Sequence, residues 1–532
     1  MLEPEELIDS RIGVHDDNQF EVKLDYAIDP TGRRSRYVVE TYLFLPRSLG
    51  VDPHSYRREQ FYSDIQAYIR FKTPTISLRA LADETNDSSP LNQMLEQMPT
   101  IGRDTTPDLD GGLGHEVRLF GCLVKVGVRD QVSVLRDRVS ALTGRAQHRS
   151  VLVEDIDRLA LRLAEDVSAV LERFRGYRAD FVLPRRAAWI QELFAYADEF
   201  ISLSVERYFT RFVAALDENP AVREACEASR AKIVERVLAE QAHRKGAGYD
   251  SIIDGVRGSA RYVHRNSALK KFMSSVLFLD MTKQTVGRRI TNIGAGIAAA
   301  VAMLFSTVAA IWSQNRYGIN SYPFVVALVI SYVFKDRIKE WLRTYFNQQF
   351  SRFLWDYSVT IRDPANDAEV GRCREMFSFT DPDSVPRPVY DARHGDATGV
   401  LEPKSKPEII LKYVKEITLR GRSIAANHGR LLDVNDIIRF NVSSLLARMD
   451  DPVRTVETFD AKTGSIRQVT CPKSYHVNVV MVLRAVSGSP SYERFRVVLD
   501  KSGIRELHEV GHSQGAIEAP APHRELQAAV AE

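Results

Sequence analysis

Cysteine is scarce in this 532-residue chain. The four present (Cys122, Cys226, Cys373, Cys471) lie far apart, with no C-x-x-C pair. That excludes a disulfide scaffold and a cysteine-rich zinc module, and it fits a reducing compartment. Charge of one sign is missing too. Lys+Arg number 72 and Asp+Glu 70, a net charge of +2, so no global field selects nucleic acid or an acidic partner. Long basic runs are absent, so nucleic-acid binding has little support beyond scattered arginines such as Arg185-Arg186 and is not expected. There is no Walker A loop and no G-x-G-x-x-G opening a helix, and no cofactor is expected. The first residues, Met1-Leu2-Glu3-Pro4-Glu5-Glu6, are acidic and lack an apolar stretch, so neither a secretory signal nor a transit peptide is expected there. What remains is a globular composition, 44% hydrophobic and 27% charged, with length for about two to four domains.

The one exceptional stretch is central. No side chain from Thr291 to Asn315 is charged, and Ile293 to Trp312 is predominantly apolar. As a helix, those roughly 20 residues reach ~30 Å, the thickness of a hydrocarbon core. A second charge-free run, Tyr317 to Phe334, follows Arg316 and contains Pro323. Together the runs predict a two-helix transmembrane hairpin over 291–334. Lys283, Arg288 and Arg289 precede it, Lys335, Arg337, Lys339 and Arg343 follow it, and the connecting loop holds only Arg316. The positive-inside rule then places both termini in the cytoplasm and the protein in the cytoplasmic (inner) membrane, with the lipid bilayer as its partner. Gly294, Ala298, Ala302, Ser306 and Ala310 recur every four residues and form a stripe of small side chains. Such a stripe packs either on the second span or on another subunit, giving a homo-oligomer through the first span. Residues 335–360 read as an amphipathic helix (Ile338, Trp341, Leu342, Tyr345, Phe346) that lies in the membrane interface or covers a cytosolic core.

The rest predicts an α+β multidomain membrane protein. Residues 1–140 form a cytosolic α+β domain. It opens with a hairpin: Phe20, Val22, Leu24, Tyr26 and Ile28 alternate, Asp29-Pro30-Thr31-Gly32 turns, and Tyr37 to Leu45 returns. Arg58 to Phe71 is expected as helix and Glu116 to Val128 as strand. Residues 150–290 form a long helical bundle. A Pro-, Asp- and Ser-rich linker is expected over 361–407, a small antiparallel β-rich cytosolic domain over 408–512, and a flexible tail over 513–532.

Three short motifs suggest chemistry. His508-Glu509-Val510-Gly511-His512 is H-E-x-x-H, extended by Gly515 and Glu518. On a helix the two imidazoles at i and i+4 share a face and bind one zinc while the Glu activates water. The pattern resembles the metzincin protease motif, which implies His508, His512 and Glu518 as ligands, although Glu518 stands where that family has His or Asp. Gly511-His512-Ser513-Gln514-Gly515 resembles the nucleophile elbow of α/β-hydrolases, which implies Ser513 as nucleophile. Tyr317-Gly318-Ile319-Asn320, between the two runs, resembles the signature loop of CorA-type magnesium channels, with Ile319 in place of Met. That resemblance implies Gly318 and Asn320 at a pore mouth that meets hydrated Mg²⁺.

The expected function is that of a membrane-anchored protein with cytosolic domains that bind, scaffold or regulate, without catalysis, acting on a cytosolic protein or ligand that the sequence does not name. The alternatives are a two-span oligomeric ion channel of CorA-like type and a zinc-dependent hydrolase.

Overall fold

The computed structural model describes residues 8–510 except 33, 101–105, 108, 110, 143–148, 184–186, 254, 286, 319–320, 352–354, 395–407, 432, 451–452, 460–463 and 486–488. Fourteen strands are numbered in chain order. The first seven are β1 (Ile8–Asp16), β2 (Gln19–Tyr26), β3 (Ser35–Pro46), β4 (Ile65–Phe71), β5 (Asp280–Thr285), β6 (Tyr357–Arg362) and β7 (Glu369–Thr380). The others are β8 (Glu408–Leu419), β9 (Val434–Asn441), β10 (Val453–Phe459), β11 (Ile466–Pro472), β12 (Tyr475–Ala485), β13 (Ser491–Asp500) and β14 (Gly503–Glu509).

Eight strands form one antiparallel sheet in the order β14-β13-β12-β3-β8-β7-β6-β5. Four form a second, β1-β2-β9-β4, and β10 and β11 pair as a separate ribbon. Alternation decides the faces. Phe20, Val22, Leu24 and Tyr26 of β2 are buried while their neighbours point out. These side chains join Phe440 of β9 and Leu411 and Tyr413 of β8 in one core. Phe61, on the helix Arg58–Asp64, stacks on Phe377 of β7 at 4.0 Å between centroids and lies 6.0 Å from Phe440, so it touches both sheets. The chain is thus mixed α+β, with antiparallel sheets and a β-rich C-terminal region.

Two helical excursions leave this frame. The first follows β4 and contains the long helices Gly112–Leu142, Arg149–Gly176, Ala188–Asp217, Glu227–Ala247 and Gly255–Ser274. It returns to the strand it left, since the Leu279 N–H donates to the Ile69 carbonyl at 3.0 Å and Phe278 bridges Arg70. Buried charges brace its helices and are answered there. Arg175 pairs with Asp198 at 2.8 Å and with Glu240 at 2.7 Å, and Arg265 pairs with Glu199 at 2.7 Å. The second excursion leaves at Thr285 and re-enters at Tyr357. These two residues are partners across the β5–β6 ladder, so both ends of the excursion meet at one sheet edge.

Several expectations are corrected. The turn at Asp29 forms, with the Thr31 N–H and hydroxyl donating to Asp29 Oδ1 at 2.9 and 2.7 Å. Its flanking strands do not pair: β2 enters the small sheet and β3 the large one. Alternation reports which face of a strand is buried and says nothing of which neighbour bonds its edge. Strand β3 lies between β8 and β12, so residues expected in separate domains at 1–140 and 408–512 share one sheet. Arg58 to Phe71 is helix only to Asp64 and then β4. Glu116 to Val128 is helical, inside Gly112–Leu142. That stretch is buried all round, and a continuous apolar run has no readable period. The expected linker at 361–407 contains β7 and the helix Arg387–His394; Pro382 and Pro386 sit in the turn between them, and Pro388 lies in the first turn of the helix. Residues 395–407 and the tail 513–532 lie outside the described residues.

Candidate functional site

The second excursion consists of two antiparallel helices, Gly287–Arg316 and Tyr322–Ser351. Ile293–Arg316 is, among the described residues, the one helix long and apolar enough to cross a membrane, with 24 residues, a mean hydropathy of 2.0 and 11% of its most apolar stretch buried. Leu304 is 66% exposed and Trp312 63%. The partner helix does not meet that standard. Its apolar run from Tyr322 ends at Phe334, about 13 residues or ~20 Å, because Lys335, Asp336 and Arg337 follow. A hydrocarbon core needs ~30 Å, so the structure supports one candidate span rather than the expected two.

The stripe of small residues faces this partner helix. Ala298 and Ala302 are fully buried, and Gly294, Ser306 and Ala310 are half-buried. On the opposing helix Ser331 is buried. Small side chains bring the two backbones together, and this packing occupies the stripe within one chain. At the tip, the Ser321 N–H donates to the Gly318 carbonyl at 3.1 Å and closes a turn; Asn320 lies outside the described residues. The expected amphipathic helix at 335–360 is the second half of Tyr322–Ser351, followed by β6. Trp341 is 73% exposed and Tyr345, stacked beside it, 52%, so these two aromatic side chains cover no core among the described residues.

The hairpin is clamped where it joins the sheet. Lys283 on β5 places its ammonium 3.8 Å from the Tyr357 ring centroid, 4.7 Å from that of Tyr62 and 3.8 Å from Glu375. Asp356, just before β6, accepts from Arg58 at 2.6 Å, from the Tyr62 hydroxyl at 2.9 Å and from the Phe377 N–H at 2.8 Å. Burial, with the Asp356 charge beside it, raises the Tyr62 phenol well above its ordinary range. Polar groups continue inward between the sheets. Tyr413 donates to Glu375 at 3.0 Å, and Lys415 of β8 meets both carboxylate oxygens of Asp436 on β9 at 2.8 and 2.6 Å. Burial alone would lower the Lys415 pKa, but the Asp436 carboxylate raises it and keeps the ammonium charged.

A concavity of about 230 Å³ opens where the helical bundle meets the sheets. His115 near the start of Gly112–Leu142 and His428 before β9 line it, and Asp363 in the β6–β7 turn stands behind His428. His428 Nε2 donates to Asp363 Oδ2 at 2.7 Å, and the His115 ring stacks 5.9 Å from that of His428. Arg430 bonds Glu116 at the rim. Burial, then the neighbouring His428, Arg430 and Arg118, pushes His115 down to about 4. Burial works against the ionised Asp363, but the His428 hydrogen bond and the Ala365 N–H outweigh it and hold its pKa low. These three residues are far apart in sequence and carry no motif, so nothing short of the fold brings them together.

This arrangement predicts an acid-side loss of stability. The unfolded chain protonates His115 near 6.5 and the folded chain only near 4. Its contribution is therefore intact above about 6.5 and falls away as the pH drops toward 4. His115→Asn removes that dependence. Urea unfolding at pH 7 and pH 4.5 is expected to show the wild type losing more stability than the variant, by on the order of 3 kcal/mol at most.

The motif residues are placed as follows. His508 lies on β14, exposed, with its ring 2.8 Å from Glu506. H-E-x-x-H needs a helix, and its first residue is on a strand, where residues four apart stand ~13 Å from each other. His512, Ser513 and Glu518 lie outside the described residues. No group of three or more His, Cys, Asp or Glu among the described residues is placed to hold a metal. Comparison with known proteins returns no match: no protein family, curated protein or solved structure is significantly similar to the chain.

Proposed function

We propose that this chain is a membrane-anchored binding protein whose helical hairpin inserts into the cytoplasmic membrane and holds the sheets and the helical bundle on the cytoplasmic side. The observation that carries the reading is the exposed apolar surface of Ile293–Arg316, far larger than the scattered apolar side chains of a soluble surface. Both ends of the hairpin leave one sheet edge, so both arms enter the bilayer from the same side. The partner helix travels as a packed companion, with its charged second half at the headgroups. No observation adds weight to the channel or hydrolase alternatives.

Leu304→Arg tests the reading. An arginine near the middle of the span costs about 2.5–3.5 kcal/mol on insertion scales, roughly a hundredfold in the insertion equilibrium. The wild-type chain is expected to stay in the membrane pellet after alkaline carbonate washing, and the variant to shift toward the supernatant. A wild-type chain that washes off completely overturns the anchor. Labelling of Ser502→Cys by an impermeant maleimide is expected only when the cytoplasmic face is opened; labelling in intact cells overturns the orientation.

A further inference from the structure

The outer face of the large sheet is divided. One end is covered by the helix Arg387–His394, which seats Val389 against Tyr42, Phe44, Val480 and Val482. The other end is open, and a cavity of about 280 Å³ lies there, lined by Arg34, Arg372, Arg374 and Arg420. The pleat explains the arrangement. Cys373 and Glu375 of β7 point into the core, so Arg372 and Arg374 point out. In the β7–β8 ladder Arg374 stands opposite Glu416 and Arg372 opposite Thr418. Arg36 of β3 faces Thr418 from the other side.

The charges do not balance. Glu416 is taken by Arg36 at 2.7 Å. Glu369 is shared by Arg420 at 2.9 Å and Arg372 at 3.5 Å. Arg34 and Arg374 have no carboxylate partner among the described residues. Four guanidinium groups and two carboxylates line the cavity, a local excess of two positive charges in a chain whose total is +2, and the Arg36 guanidinium on Glu416 adds a third. Elsewhere arginines meet carboxylates one to one, as in Arg58–Asp356 and Arg265–Glu199, or are outnumbered by them, as where Arg175 meets Asp198 and Glu240. Like charges gathered in a concavity repel one another, and a ligand with several anionic oxygens relieves that repulsion. The planar guanidinium fork matches phosphate oxygens in pairs.

We propose that this cavity binds a phosphate-bearing ligand. The volume suits a phosphoryl or diphosphoryl group and part of what carries it. Two sources share this chemistry: a soluble phosphorylated molecule and the headgroup of an anionic lipid. The second is within reach because Arg374 pairs with Ser358 of β6, and Ser358 with Gln284 of β5, one residue from the hairpin root.

The test uses the full chain in neutral detergent, so it does not depend on the membrane reading. Inorganic pyrophosphate and a short-chain phosphatidylinositol phosphate are titrated separately by calorimetry. One probe or both are expected to bind, more weakly as salt rises. Arg372→Gln/Arg374→Gln is expected to lower the affinity at least tenfold with no drop in melting temperature, while Arg129→Gln, far from the cavity, leaves binding unchanged. Arg374→Lys, which keeps the charge and loses the fork, is expected to fall between. Pyrophosphate binding alone assigns a soluble ligand, and lipid binding alone assigns a headgroup. No binding of either probe at millimolar concentration, or equal binding by the double variant, overturns the proposal.

Discussion

A chain in which residues 286–355 are replaced by a short Gly/Ser linker is expected to be soluble and monodisperse without detergent, with its sheets intact. The geometry makes the excision simple. Thr285 and Tyr357 are cross-strand partners, and neighbouring strands stand ~4.8 Å apart, so a loop of about two to five residues joins Thr285 to Asp356. Asp356 is kept because it holds Arg58, Tyr62 and the Phe377 N–H. Lys283 is kept because its charge, over Tyr357, blunts the exposed edge of β5 against pairing with another copy. The removed segment carries Leu304, Trp312 and Trp341, all more than 60% exposed. Size-exclusion chromatography in plain buffer and far-UV circular dichroism check the outcome. A shortened chain that still pellets with membranes would move the anchor elsewhere.

Lys415→Met is expected to destabilise the full chain by about 3–5 kcal/mol, the largest effect of any single substitution considered. Lys415 and Asp436 are both essentially inaccessible to solvent and lie on different sheets. Removing the ammonium leaves the Asp436 carboxylate buried with only the Tyr26 hydroxyl, at 3.3 Å, to answer it. Lys415→Met with Asp436→Leu is expected to recover most of the loss, because an apolar pair of similar volume carries no desolvation penalty. Urea unfolding of the two variants in one detergent measures this, and a double variant as unstable as the single one would refute the cross-sheet pair as the cause. Since Asp436 raises the Lys415 pKa, the lysine's own contribution is complete below its unfolded pKa of 10.5 and is lost only as pH rises beyond it, while burial raises the Asp436 carboxyl above its ordinary value. The lysine's part of the effect is therefore flat across neutral pH.

Much of the local structure was legible in the sequence. Alternation in Phe20–Tyr26 and in Tyr475–Leu483 marks real strands, and the spacing of Ile156, Leu163, Val167 and Phe174 marks a real helix. In Phe20–Tyr26 and in the helix the pattern survives because burial of one face repeats at the period of the element, whereas Tyr475–Leu483 is buried on both faces. Where burial is complete the period vanishes, as in the helix around Phe120 and Leu123. The two convergent polar sites were not legible at all. His115, Asp363 and His428 come from three different elements, and so do Arg34, Arg372 and Arg420. No spacing rule connects residues that meet only after the strands have paired.

The sequence by itself determined one thing firmly: a charge-free apolar helix in mid-chain, bounded by basic residues. Covalent order suffices for that, since length and hydropathy belong to a single segment. It also determined the small-residue stripe, although not what the stripe packs against. Tertiary structure decided that β3 belongs between β8 and β12 and that the hairpin leaves from one sheet edge. It also decided where like charges gather. Each of these depends on which distant segments share an edge or a face, and edge pairing is set by the whole sheet rather than by any strand alone.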